Sequence, residues 1–245
     1  MDEVSILSGL SILSGLPIEL LHVIASFDQE AYYALLAIPF FARSLTPSLR
    51  IDYMIAFGYS VKFGKSGIAQ TIEWTRYGKL HRNNAPAYES SWGTTEWYRN
   101  GVLHRLDGPA VTWPNCGEQW WFNGKLHREN GPAEEYINNV RSWFCNGELH
   151  REDGPAMENA DGTKDWYLNG NPHREDGPAI EYSNGDKSWY RNGKCHRENG
   201  PAIEQTDGTK YWYRNGKLHR EDGSAIECAD GTKSWFRNGK EVNPF

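Results

Sequence analysis

Seven histidine-arginine pairs recur along this chain at a fixed interval of 23 residues: His81-Arg82, His104-Arg105, His127-Arg128, His150-Arg151, His173-Arg174, His196-Arg197 and His219-Arg220. A column of histidines invites a metal ion, and a column of arginines invites phosphate. Eight tryptophans keep the same beat, at 74, 97, 120, 143, 166, 189, 212 and 235, and a row of indoles could stack bases or sugars. Spacing decides against the metal. Equivalent residues two strands apart in a sheet are separated by about 9.6 Å, whereas zinc holds its ligands at about 2 Å. Neighbouring histidines therefore cannot share an ion, and a cross-strand contact with tryptophan, one ring nitrogen bonded to backbone, is expected instead. Each arginine is followed by acidic or amide residues, as in Arg151-Glu152-Asp153, and glutamates recur at 158, 181, 204 and 227. Local salt bridges are the expected arginine partners. A ligand site needs a few special residues, whereas a core needs the same residue every time, so the tryptophan column reads as core. No serine or cysteine stands in a nucleophile motif, and no glycine-rich phosphate loop precedes a helix. The reading is a protein that is not an enzyme, with no catalytic residues, metal or cofactor.

The elements that must position these columns are β-hairpins. A fixed period of this length marks an array of identical small units, each too small to bury its apolar face without neighbours. Asn192-Gly193 is the favoured pair for a two-residue type I′ turn, and Asn-Gly recurs at this phase in every repeat except the first, which has Tyr77-Gly78. A second turn signal precedes each tryptophan, as in Asp161-Gly162, Asn184-Gly185, Asp207-Gly208 and Asp230-Gly231. Both are read as two-residue loops, and two-residue loops fix the register. Tyr190 then faces Cys195 and Trp189 faces His196 across the first. Trp189 faces Ile180 and Tyr190 faces Ala179 across the second. The Gly-Pro-Ala step, as in Gly177-Pro178-Ala179, is read as a turn into the next strand, where proline is tolerated. The expected fold is an all-β repeat rod over 63–245, approaching roughly 65 Å for seven full repeats, preceded by a small α-helical segment over 1–62.

In that first segment Pro17 fits a first helical position, with Leu20, Leu21, Ile24 and Phe27 following at helical spacing. Asp28 can cap a second helix bearing Leu35, Leu36 and Ile38, and Thr46-Pro47 can open a third. The net charge of −6 does not suit a strongly basic nucleic-acid binder. The four cysteines, Cys116, Cys145, Cys195 and Cys228, fall at four different phases of the repeat and suit a reducing compartment. Met1-Asp2-Glu3 lacks the basic start of a signal peptide. The longest apolar run, Ala31 to Ala42, is too short to span a bilayer, so no transmembrane segment is expected. We expect a soluble cytoplasmic protein.

The stretch Trp-Tyr-x-Asn-Gly-Lys-Leu-His-Arg-Glu-Asp-Gly-Pro-Ala-Ile-Glu resembles the MORN repeat family, whose repeats are also 23 residues long. The resemblance covers roughly residues 70–242 and implies a row of β-hairpins in a twisted rod or groove. His-Arg and Gly-Pro-Ala stand where the common form has more glycines, which is closer to variants in bacterial antitoxin-like proteins and in large DNA viruses of amoebae. Leu16-Pro17-Ile18-Glu19-Leu20-Leu21-His22-Val23-Ile24-Ala25-Ser26-Phe27 resembles the start of an F-box, although Phe40-Phe41-Ala42-Arg43 stands where many F-boxes close on a basic-Trp signature. That resemblance implies docking on a Skp-type adaptor of a cullin-RING ubiquitin ligase through Leu16, Pro17, Leu20, Leu21, Ile24 and Phe27, with the repeats holding an unknown target protein. If the chain is viral, its cytoplasm is the host's. Two other readings stay open: a structural or self-associating scaffold, homo-oligomeric, in which the helices only cap the rod, and peripheral membrane binding, against which the net acidity counts.

Overall fold

The computed structural model describes residues 59–66 and 69–243, which divide into two compact units. The helices expected over most of 1–62 lie outside the described residues. Strand structure begins at Tyr59, slightly ahead of the boundary read from the sequence. The first unit contains residues 59–91 and Tyr98–Gly101. In it, Ala69–Arg76 pairs along its whole length with Tyr59–Ser66. Ala69–Arg76 also pairs with Tyr88–Ser90, and its end pairs with Lys79–Leu80.

The second unit contains Trp92–Trp97 and residues 102–243. Its backbone is one ladder of short antiparallel strands, running without interruption from Thr95–Glu96 to Lys233–Ser234. Six separate two-stranded hairpins branch from it, of which Tyr190–Arg191 with Lys194–Cys195 is representative. The repeat is thus one main hairpin and one side hairpin, antiparallel throughout.

Tryptophan sits where the two kinds of hairpin part. The Trp189 N–H donates to the Ala202 carbonyl on the ladder side, and the Trp189 carbonyl accepts from the His196 N–H in the side hairpin. The expected pairings across Asn192-Gly193, Tyr190 with Cys195 and Trp189 with His196, are both present. The turn has the expected backbone, with Asn192 at φ 49° and Gly193 at φ 76°, the left-handed pair that a type I′ turn requires.

The second turn differs from the expectation. Tyr182 N–H donates to the Asp186 carbonyl, which leaves a three-residue loop, Ser183 to Gly185. Only Gly185 is left-handed there, at φ 92°, the signature of a type I turn closed by a glycine bulge. One extra loop residue slips the register by one. Ile180 consequently faces Ser188, and Glu181 faces Lys187. Trp189 therefore does not face Ile180, so the expected alignment of Ile180, Trp189 and His196 on one sheet face does not form.

The fully buried column is alanine rather than tryptophan. Ala87, Ala110, Ala133, Ala156, Ala179, Ala202 and Ala225 are each 0% exposed, while all eight repeat tryptophans are half-buried. A methyl group is what the space between successive ladder strands and the Gly-Pro loop admits.

The first repeat carries the one tyrosine in a left-handed turn position, Tyr77 at φ 50°, where the seven other repeats have asparagine between 48° and 55°. This region costs most residues about 1 kcal/mol or more, and asparagine less. Tyr77 is also 73% exposed, so little packing is lost on replacing it. Tyr77→Asn is expected to stabilise the protein by about 0.5–1 kcal/mol. A urea melt showing no gain would mean that the Arg76 guanidinium, 5.2 Å from the Tyr77 ring, compensates for the backbone.

Candidate interaction surface

The recurring polar residues form two kinds of structural joint. The first joint is an arginine clamp. The Arg174 guanidinium lies 4.1 Å from the Trp166 ring centroid. Its Nε–H donates to Asp176 Oδ1 at 3.0 Å, and its Nη1 donates to the Pro178 carbonyl at 3.2 Å and to Glu181 Oε1 at 2.9 Å. The other side of the guanidinium meets Gly177, where a Cβ would sit 2.8 Å from Arg174 Cζ. Glycine gives the guanidinium room there, although the first repeat keeps the same stack, Arg82 on Trp74, with Ala85 at that place. The same stack recurs at Arg82, Arg105, Arg128, Arg151, Arg197 and Arg220, each with its guanidinium 3.8–4.2 Å from the ring of the tryptophan eight residues before it. Hydrogen bonds from Arg105, Arg151 and Arg220 hold the Asp107, Asp153 and Asp222 carboxyls below their usual range. The local salt bridges expected from sequence are present. The cation–π stack and the glycine slot were not anticipated, because the sequence does not show the chain folding back over eight residues.

The second joint ties one repeat to the next. His81 Nδ1 accepts the backbone N–H of Asn100 at 2.9 Å. The same bond joins His104 to Asn123, His127 to Asn146, His150 to Asn169, His173 to Asn192, His196 to Asn215 and His219 to Asn238, at 3.1–3.2 Å. A backbone amide can only donate, so in the neutral ring that accepts it Nδ1 carries the lone pair and Nε2 the proton; at His150 the Asn169 side-chain amide also lies 2.9 Å from Nδ1. In His81 that Nε2 lies 2.8 Å from Asn83 Oδ1. The expected bond between a ring nitrogen and backbone is therefore present, and its partner lies in the following repeat. Among the described residues no three His, Cys, Asp or Glu side chains converge as a metal site would need.

All four cysteines are free. Cys195, facing Tyr190, is pushed up to about 12 by burial, so at neutral pH it is a packed thiol and not a nucleophile. Among the described residues, no helix is long and apolar enough to cross a membrane. No protein-family model and no curated protein matches the chain.

What the joints leave free is the outer edge of the side hairpins, and there the repeats stop agreeing. Two residues after tryptophan stand Phe122, Cys145, Leu168, Arg191, Arg214 and Arg237, and directly opposite them stand Lys125, Glu148, Asn171, Lys194, Lys217 and Lys240. Leu106 occupies the place that Glu129, Glu152, Glu175, Glu198 and Glu221 take in later repeats, and it is 77% exposed. Val102 and Phe122 are exposed on the same edge. Val102 lies against the next turn at Gly124, and Phe122 lies between the rings of His104 and His127. Along this edge Phe122 faces Lys125, Cys145 faces Glu148 and Leu168 faces Asn171, and the last three pairs are Arg-Lys. Val102, Leu106 and Phe122 were not singled out from sequence, although their departure from an otherwise fixed pattern was the available signal. The expected docking residues Leu16, Pro17, Leu20, Leu21, Ile24 and Phe27 lie outside the described residues.

Proposed function

We propose that this protein is a non-enzymatic interaction module, a MORN-like rod whose side-hairpin edge recognises a target protein and whose N-terminal F-box-like segment engages a Skp-type adaptor, bringing the target to a ubiquitin ligase. The observation that supports target binding is the division of labour within each repeat. Tryptophan, histidine, arginine, glycine and alanine are spent on clamps and staples, while the exposed positions around Val102, Leu106 and Phe122 vary. Exposed apolar side chains rimmed by charge are what a protein partner uses as anchors. The adaptor half rests on the resemblance of residues 16–27 to an F-box. Burying one leucine contributes roughly 1.5–3 kcal/mol, so two at one interface are decisive.

The test is a pull-down of the full chain with a Skp-type adaptor. Wild type is expected to bind, and Leu20→Asp with Leu21→Asp to lose binding while the melting temperature of the repeats is unchanged. A second reading, a scaffold whose N-terminal segment only covers the end of the rod, is supported by Phe63. This residue is 76% exposed on the first strand, directly after the apolar segment. On that reading wild type does not bind adaptor, and removal of residues 1–58 lowers repeat stability or solubility.

A further inference from the structure

We infer that the basic C-terminal side hairpins dock on the acidic central repeats of a second copy of this chain, forming an antiparallel, two-fold symmetric pair. The argument starts from an arrangement that is unfavourable in the single chain. Arg191 faces Lys194, Arg214 faces Lys217 and Arg237 faces Lys240 across their turns. Like charges placed directly opposite destabilise a hairpin. Glu198 and Glu221 approach Arg191 and Arg214 at 3.5 and 3.6 Å, but among the described residues no carboxylate pairs with Lys194, Lys217 or Lys240.

These pairs form one ridge. Gly216 N–H donates to the Cys195 carbonyl and Gly239 N–H to the Leu218 carbonyl, so each side hairpin rests on the one before. Lys194 and Lys217 lie against the turns at Gly216 and Gly239.

The complement is in the same chain. Residues 143–188 carry ten acidic and four basic residues, whereas residues 189–243 carry eight acidic and ten basic ones. Glu152, Asp153, Glu175 and Asp176 are all more than four-fifths exposed. Acidic and basic residues share a face, since Glu175, Asp176 and Arg191 line one groove of about 450 Å³.

Both ridges have the same 23-residue period, so their charges are spaced alike. A dyad near Ser188-Trp189 sets Arg191 and Lys194 against Glu175 and Asp176 of the second copy. It also sets Arg214 and Lys217 against Glu148, Glu152 and Asp153 of that copy. Every contact occurs twice, as an isologous interface requires. The glutamates interleaved in the basic ridge count against a polyphosphate occupant.

The test is the mass of the full chain in solution by light scattering and sedimentation, at 50 and 500 mM salt. A dimer is expected at low salt, weakened at least about tenfold at high salt, because exposed pairs are screened. Variant one, Arg191→Glu, Arg214→Glu and Lys217→Glu, is expected to be monomeric. Variant two, Glu148→Lys, Glu152→Lys and Glu175→Lys, is also expected to be monomeric. Mixed, they are expected to form a heterodimer, since each reversed ridge then meets a reversed centre and each native ridge a native centre. Because the reversed residues are exposed, unchanged circular dichroism melts confirm that both variants fold. A wild type that stays monomeric at 50 mM salt overturns the proposal, whether or not it binds poly-glutamate or an oligonucleotide. So does a dimer that survives either reversal, or a mixture that does not associate. Adaptor binding is read separately, so failure here leaves the adaptor reading standing.

Discussion

Trp166→Ala is expected to lower stability by about 3 kcal/mol, at the lower end of the range for removing a large aromatic from a core. The low end applies because Trp166 is half-buried and not fully enclosed. The loss has two parts. One is the ring surface itself. The other is the platform on which Arg174 is held, and a cation over an indole contributes roughly 0.5–1 kcal/mol at partly exposed sites. A double-mutant cycle with Arg174→Ala is expected to return a coupling of that order. Trp235 supplies the control within the chain, since the residue eight places later is Asn243, which carries no guanidinium. Trp235→Ala should therefore cost clearly less, measured by urea denaturation of each variant. Gly177→Ala should cost less than Arg174→Ala, because the first repeat carries Ala85 at that place with Arg82 still stacked on Trp74. If Trp166→Ala and Trp235→Ala cost the same, the clamp contributes nothing.

Stability should also fall as pH drops below about 6.5, through the one staple histidine whose pKa burial lowers. Each of seven histidines accepts a neighbouring repeat's amide on Nδ1. A protonated imidazole has no lone pair there, so charging the His81 ring breaks its bond to the Asn100 amide, at a cost of about 1 kcal/mol or more. For His81, burial lowers the folded-state pKa from 6.5. The folded state then binds fewer protons than the unfolded state, so this contribution is complete above pH 6.5 and is lost as pH falls through the lower folded value. The groups facing the other rings are Glu152, Glu175, Glu198 and Glu221, at 3.5–4.0 Å from Nε2 of His150, His173, His196 and His219. The aspartates held low by arginine lose their support only at more acidic pH, which separates the two effects in a pH series of melting temperatures. A flat profile between pH 7 and 5 would refute the histidine staple.

The residues that announce themselves in sequence are those whose backbone is locally determined. Asn192-Gly193 specifies a left-handed pair, so the side hairpin and its register follow directly. Asn184-Gly185 is the same dipeptide, yet only Gly185 is left-handed there. Whether the loop holds two residues or three depends on which amide meets which carbonyl, and composition does not encode that. The metal reading failed on spacing alone, since strand geometry is universal. The Arg174 clamp was half legible: charge pairing with Asp176 and Glu181 is local, but the stack on Trp166 requires the intervening turn to be known. Ala179 was overlooked as the buried position because a small side chain carries little hydrophobic signal, although it is the one that fits.

The arginine clamp closes within a single repeat, from Trp166 to Glu181, whereas the bonds between repeats run through backbone amides, the imidazoles and, at some repeats, turn side chains such as Asp186, which accepts from Thr206. That makes the chain divisible. Removing or adding whole 23-residue segments leaves every clamp and every histidine staple with a partner of the same kind, so these two joints let the array change length. A single inserted residue inside a repeat has no such freedom, since it separates a guanidinium from its indole or a ring nitrogen from its amide. Descent by duplication is thus written into the joints, while the outer edge is left open to change one residue at a time.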